Sequence, residues 1–251
     1  MKVKIFALIK KTSPYYVITM VFHDQSFDIS EKINRLNEEL SKINFVTIML
    51  YNLYKWRLHM KLLEDRILKD GKVFPGDVLK IDSFLNHQID VSLMEEIAKE
   101  IKRLFPDIKP TKILTIESSG IAIASEVSKQ YKYAPVIFAK KQKASNMDDA
   151  YCATEKSYTR NLNYDVSVAK EYLKENDQIL IVDDFLANGE ALNALINICQ
   201  QAQVQILGVG AVVCKAYQPG EKRIKDMGVH LECLARVKAM HDDGTIEFCE
   251  D

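Results

Sequence analysis

Two adjacent carboxylates, Asp183 and Asp184, end a run of four apolar residues, Ile179, Leu180, Ile181 and Val182, in the stretch QILIVDDFLANGEAL. An uninterrupted apolar run of that length is the pattern of a strand covered on both faces, which puts both acids at its carboxyl edge. Ionised carboxylates accept hydrogen bonds and so suit the hydroxyls of a sugar. The small residues that follow, Ala187, Asn188, Gly189 and Ala191, form a turn through which main-chain N–H groups can approach an anion. The helix expected from Glu190 turns its positive end toward the same place. Ribose hydroxyls and a phosphate are the ligand chemistry that fits. A signalling receiver domain also has a strand ending in two acids, but roughly a hundred residues follow them there. Here the second acid is already residue 184 of 251.

From residue 111 onward, short β-rich runs alternate with helical stretches, which predicts an α/β fold with a mainly parallel central sheet flanked by helices. The predicted strands cover 112–116, 135–139, 178–183, 206–214 and 230–235, and the predicted helices 93–105, 121–131, 190–202 and 221–227. The polar stretch 140–164 is long for a connection and reads as a mobile functional loop or an irregular hairpin, expected to close over the site and exclude water. The first 59 residues differ in character. A strand is expected over 15–22, and Asp28 with Glu31 forms a capping box for a helix over 28–43. After Met60, KLLEDRILKDGKV starts a helix as a natural amino terminus would. Residues 1–59 are therefore expected to be an amino-terminal extension, or upstream sequence outside the natural protein, and 60–251 the functional domain.

With 47% apolar residues, the chain can bury a full core. A net charge of −1 offers no general attraction to nucleic acid, so an anionic ligand needs a local site. The helix over 28–43 carries four acids (Asp28, Glu31, Glu38, Glu39) against three bases (Lys32, Arg35, Lys42), a poor surface for phosphate backbone. Cys152, Cys199, Cys214, Cys233 and Cys249 lack the paired spacing of a zinc site or a disulfide framework. Lys10 and Lys11 interrupt the first apolar stretch, and the uncharged run 43–54 is shorter than the ~20 residues that span a bilayer. A cytoplasmic protein with no membrane partner is expected.

A second candidate loop, Glu117-Ser118-Ser119-Gly120, lies between a predicted strand and a predicted helix, and Lys140, Lys141 and Lys143 follow another strand. Alone, the first would be an ordinary turn and the second a solvated basic edge. Their value comes from their company. The pattern around Asp183 resembles the fingerprint of type I phosphoribosyltransferases. The stretches VLKIDSFLNHQID (78–90), KILTIESSGIA (112–122), VIFAKKQK (136–143) and ILIVDDFLANGEA (179–191) together resemble the bacterial xanthine phosphoribosyltransferase family over residues 60–251.

That resemblance implies the type I phosphoribosyltransferase fold with a small hood over the base site. It implies transfer of the 5-phosphoribosyl group from phosphoribosyl pyrophosphate (PRPP) to xanthine, giving xanthosine 5′-monophosphate and pyrophosphate in purine salvage by a homodimer. It assigns Asp183 and Asp184 to the ribose and the developing positive charge. Ala187, Asn188, Gly189, Glu190 and Ala191 take the 5′-phosphate, while Ser118, Ser119, Gly120, Lys140 and Lys141 take pyrophosphate. Leu79, Asn86 and Lys215 take the base. Alone, Leu79 would be a core residue, Lys215 a surface lysine and Asp184 a solvated acid. Mg²⁺ is expected on the substrate's pyrophosphate, with no protein metal site. Glu190 is unexpected beside a phosphate, and its side chain is expected to cap the helix or turn to water. The alternatives are a relative preferring guanine, hypoxanthine or adenine, and a PRPP-sensing transcription regulator using the amino-terminal segment.

Overall fold

Residues 6–12, 15–21, 61–141, 149–157 and 162–250 are described by the computed structural model. The chain divides into two units, residues 1–55 and 56–251. In the first, β1 (Phe6–Thr12) and β2 (Tyr15–Val21) pair antiparallel, with Thr12 opposite Tyr15. β2 falls on the expected strand, whereas β1 was not anticipated. The helix expected over 28–43 lies outside the described residues.

The second unit begins with α1 (61–70), then a hairpin of β3 (Lys72–Phe74) and β4 (Val78–Lys80), a π-helical turn at Asp82–Asn86, and α2 (Val91–Leu104). Asp90 caps α2 by accepting the Leu93 N–H at 3.2 Å, and its other oxygen takes Arg66 of α1 at 2.9 Å. Six strands then form the sheet: β5 (Lys112–Ile116), β6 (Val136–Ala139), β9 (Gln178–Leu186), β10 (Gln205–Lys215), β11 (Leu231–Met240) and β12 (Ile246–Phe248). Their order is β12-β11-β10-β9-β5-β6, parallel except at β12.

Alternation along the strands divides the core in two. Ile113, Leu180 and Val182 face α2 and α3 (Gly120–Gln130), while Leu114, Ile179 and Ile181 face α4 (Glu190–Gln201). This is the reason for the unbroken apolar run in β9: both faces of the strand are covered.

Most of the polar stretch 140–164 belongs to an antiparallel hairpin, β7 (Ala150–Ser157) with β8 (Leu162–Ala169), which is regular where a mobile loop or an irregular hairpin was expected. Its base is fixed. Val166 and Val168 are buried in the α4 layer, and the Gln201 side chain of α4 donates to the Cys152 carbonyl at 2.7 Å. Sparse apolar residues masked it because cross-strand pairing carries such a ribbon. Residues 142–148, including Lys143, and 158–161 lie outside the described residues. A further helix, α5 (Gly220–Asp226), joins β10 to β11. Among the described residues, no helix is long and apolar enough to cross a membrane.

Candidate active site

The chain leaves β5 toward β6 on one side and leaves β9 toward β10 on the other, so the β5–β9 boundary is where strand order reverses. Crevices at such boundaries, beyond the carboxyl ends of the strands, are the usual ligand sites of α/β sheets. Pairing between the two strands stops at Leu114 opposite Ile181, while β9 continues beside β10 to Leu186 opposite Cys214. The strands therefore part just before the two acids. β9 also runs three residues past its expected end, so Asp183 and Asp184 lie within its last part and not beyond it.

The acids are not equivalent. Asp183 is 2% exposed, and its Oδ1 accepts the Asp184 N–H at 3.0 Å. Burial, reinforced by the neighbouring Asp184 charge, pushes the Asp183 carboxyl well above the usual range, with Lys141 pulling the other way. Asp184 is half-buried, and its Oδ1 accepts the Phe185 N–H at 2.9 Å.

After β5, Glu117, Ser118 and Ser119 lead into α3 at Gly120, with Ser118 exposed and Ser119 half-buried. A Cβ on Gly120 would lie 2.0 Å from Thr115 Oγ1 and 3.4 Å from Asp183 Oδ1, so only glycine allows this helix start to sit against the strand and the buried acid. The Thr115 hydroxyl is buried without a hydrogen-bond partner in the described residues. Glu117 Oε1 accepts the Lys141 N–H at 2.7 Å, and Lys140 exchanges main-chain hydrogen bonds with Ser167. Of the sequence-predicted lysines, Lys141 is thus brought by its main chain to the loop of the two serines, while the Lys140 main chain pairs with β8.

After β9, Ala187 and Asn188 lead to Gly189, whose φ of +81° is the left-handed conformation that glycine adopts freely. The Gly220 N–H at the start of α5 donates to the Ala187 carbonyl at 3.1 Å. The Glu190 side chain neither caps α4 nor reaches into water; it is 11% exposed and accepts a hydrogen bond from Arg223 of α5. The expectation for that carboxylate was wrong because its partner lies 33 residues onward in another helix.

Leu79 is buried in β4, within the α2–α3 core. Asn86 ends the π-helical turn anchored by buried Phe84 and Leu85, and its Oδ1 is buried with no partner among the described residues. Lys215, the last residue of β10, is 9% exposed, and burial lowers its pKa, with Asp77 opposing the shift. Its ammonium donates to the Asp77 carbonyl in the β3–β4 turn, linking Lys215 to the hairpin that carries Leu79. Thr115, Arg223, Asp77, Tyr217 and Gln218 went unnoticed in the sequence. Only the Pro75-Gly76-Asp77 turn gave a local signal.

Residues 80–241 match the family model of the phosphoribosyl transferase domain. The chain is 49% identical over 190 residues to the xanthine phosphoribosyltransferase of Pediococcus pentosaceus, covering 75% of this chain and 100% of that protein. It is 52% identical over 194 residues to the xanthine phosphoribosyltransferase of Lachnoclostridium phytofermentans, covering 76% and 100%. The fold is similar to the crystal structure of adenine phosphoribosyltransferase from Rhodothermus marinus, with a TM-score of 0.59, 18% identity, and coverage of 72% of this chain and 99% of that one.

Proposed function

We propose that this chain, which belongs to the phosphoribosyl transferase family, transfers the 5-phosphoribosyl group of PRPP to xanthine, yielding xanthosine 5′-monophosphate and pyrophosphate. The observation that carries this reading is the meeting of two helix-opening loops and an acid pair where β5 and β9 part. The roughly 50% identity to enzymes named for xanthine supports the choice of base. The catalytic domain is assigned to residues 60–251, with 1–59 as an amino-terminal extension. A cytoplasmic homodimer is the working form the family suggests.

In this reading the 5′-phosphate sits on the amides of 187–191 and the positive end of α4. Asp184, the more accessible acid, accepts the ribose hydroxyls, while Asp183 fixes its main chain from below. Pyrophosphate lies against Ser118, Ser119 and the start of α3, with Lys140 and Lys141 alongside. The bond from the anomeric carbon to the pyrophosphate oxygen breaks as a base nitrogen attacks from the other face. The protein stabilises positive charge on the sugar with the acid pair and negative charge on the leaving group with amides and lysines. A Mg²⁺ ion carried on the pyrophosphate would supply further neutralisation, and the half-buried Asp184 carboxylate is the group of this chain that would help to hold it.

For the base, the Lys215 ammonium and the Asn86 amide face a purine whose exocyclic groups are both oxygen acceptors. Adenine presents an amine at that edge and leaves the ammonium unmatched. The test is incubation with Mg²⁺, PRPP and xanthine, guanine, hypoxanthine or adenine in turn, with the nucleotide identified by mass. Xanthosine monophosphate is expected as the fastest product. Faster formation of any other nucleotide overturns the base assignment, and no nucleotide at all overturns the activity.

A further inference from the structure

Three hydrogen-bonding side chains from one distant segment, residues 215–218, converge on Asp77 in the β3–β4 turn of the hood. Asp77 follows Gly76 in the β3–β4 turn with a φ of 64°, a left-handed conformation rare for anything but glycine, asparagine and aspartate. Its Oδ1 accepts the Tyr217 hydroxyl, its Oδ2 accepts the Gln218 amide, and its main-chain carbonyl accepts the Lys215 ammonium. The ammonium also lies 3.9 Å from Oδ2. Asp77 itself is 41% exposed at the side chain, whereas Lys215 is 11%.

These contacts join two pieces of backbone that belong to different elements, the β3–β4 turn and the segment that ends β10. The β3–β4 hairpin is only three residues long on each side, too short for independent stability. Its partner is the segment from Lys215 to Gly220, whose far end donates the Gly220 N–H to the Ala187 carbonyl of the phosphate loop. The Asp77 latch thus clips the hood to a segment that borders the sugar-phosphate half of the site.

We infer that Asp77 is a positioning residue that sets base specificity, holding the hood closed on β10 and aiming the Lys215 ammonium at the oxo groups of the purine. The inference rests on the assignment of Lys215 to the base. An ammonium has three donors, and Asp77 takes one, leaving two with fixed directions. Without the latch, the nearly buried ammonium turns to water, and the discrimination between an oxygen and an amine at the base edge weakens.

The experiment compares full-length Asp77→Ala, Asp77→Asn, Tyr217→Phe and Lys215→Ala with the parent, measuring KM for xanthine and for PRPP, the xanthine-to-hypoxanthine preference, and amide hydrogen exchange. Asp77→Ala is expected to raise the KM for xanthine roughly tenfold, the loss of about two hydrogen bonds, with the KM for PRPP within about twofold. Asp77→Asn tolerates the left-handed turn and keeps one acceptor, so it recovers part of the affinity. Tyr217→Phe removes only a hydroxyl, keeps the fold, and shifts the xanthine KM about threefold. Faster exchange is confined to 72–80 and 215–218.

Unchanged xanthine KM in both Asp77→Ala and Tyr217→Phe, alongside a raised KM in Lys215→Ala, overturns the latch alone. An unchanged KM in Lys215→Ala overturns the assignment of Lys215. Exchange accelerated throughout residues 61–250, or a parallel rise in both KM values, makes Asp77 merely structural and also overturns the inference.

Discussion

After β5 the chain turns into a helix by pressing a glycine against a threonine hydroxyl, whereas after β9 it turns through a left-handed glycine backed by a second helix. The β9 loop is held from outside, by the Gly220 N–H on Ala187 and Arg223 on Glu190. The β5 loop is held from within, by Thr115 below it and by the Glu117 carboxylate on the Lys141 N–H beside it. The difference fits their proposed ligands. The 5′-phosphate stays on the sugar from substrate to product and is served by a cradle with fixed walls. Pyrophosphate must leave, and its loop is tied sideways to the lysine segment that follows β6.

The sharpest way to break this comparison is Gly120→Ala. A methyl 2.0 Å from Thr115 Oγ1 overlaps a fully buried side chain of β5, and the helix start has to move away from Asp183. Overpacking of this kind costs about 1–3 kcal/mol, and the displaced amides lose their aim at the leaving group as well. Turnover is expected to fall by about a hundredfold or more with only a modest loss of thermal stability. Adding Thr115→Ala removes the obstructing oxygen, leaving the Thr115 Cβ position at an ordinary 3.4 Å, and is expected to restore most of the turnover. Recovery in the double variant, measured by steady-state rates, ties the loop's position to Thr115; no recovery shows that the loop is placed by something else.

The β9 loop is probed by Arg223→Ala, a smaller change. Glu190 stands in the first turn of α4, where a carboxylate favours the helix but opposes a phosphate. Arg223 resolves the conflict by pairing with it. Removing the guanidinium is expected to raise the KM for PRPP about tenfold, the scale of one charged hydrogen bond, with little change in the KM for xanthine. Arg223→Ala combined with Glu190→Gln removes both charges and is expected to bring the KM back to within about threefold of the parent. A KM for PRPP that stays raised in the pair would mean that Arg223 touches the phosphate directly.

The same contrast explains what was legible in the sequence. The sheet, both helix-opening loops and most helix limits follow from local signals: the covered apolar run in β9, the small residues before Glu190, and strand-to-helix order. The partners that hold each loop do not. Thr115 reads only as a β-branched strand residue, and Arg223 only as one of several charges on a short helix. Asp77 lies more than a hundred residues from the side chains it receives. Pairings of that kind are created by the topology that brings β5, β9 and the ends of β10 together. Glu190 was misjudged for this reason, since no neighbour in sequence is placed to neutralise it. The β7–β8 ribbon was read as a loop or an irregular hairpin for another reason: regular pairing compensates for its few apolar residues.

Asp183 stands between the two loops and gives the smallest of these effects, one on stability as well as turnover. It accepts from the main chain of the β9 end and approaches Gly120 of the β5 loop, so it is committed to both. Burial and the Asp184 charge raise its pKa above the ordinary carboxyl value of 3.8. A group whose folded pKa is raised contributes stability that is present below its unfolded pKa and lost as the pH rises through the folded value. Asp183→Asn keeps the carbonyl that accepts the Asp184 N–H and removes the charge that burial penalises. The variant is expected to melt about 2–4 °C above the parent at pH 8, with the gain shrinking toward zero near pH 4. Its turnover is expected to fall, because in the proposed mechanism the charge that destabilises the resting fold serves the developing positive charge on the sugar. Thermal scans across that range without substrate decide the matter: an equal gain at both pH values would show that the amide acts through packing and not through the missing charge. A pH-dependent gain shows that the acid between the two loops is held in place against its own solvation, by the same close packing that forbids a methyl on Gly120.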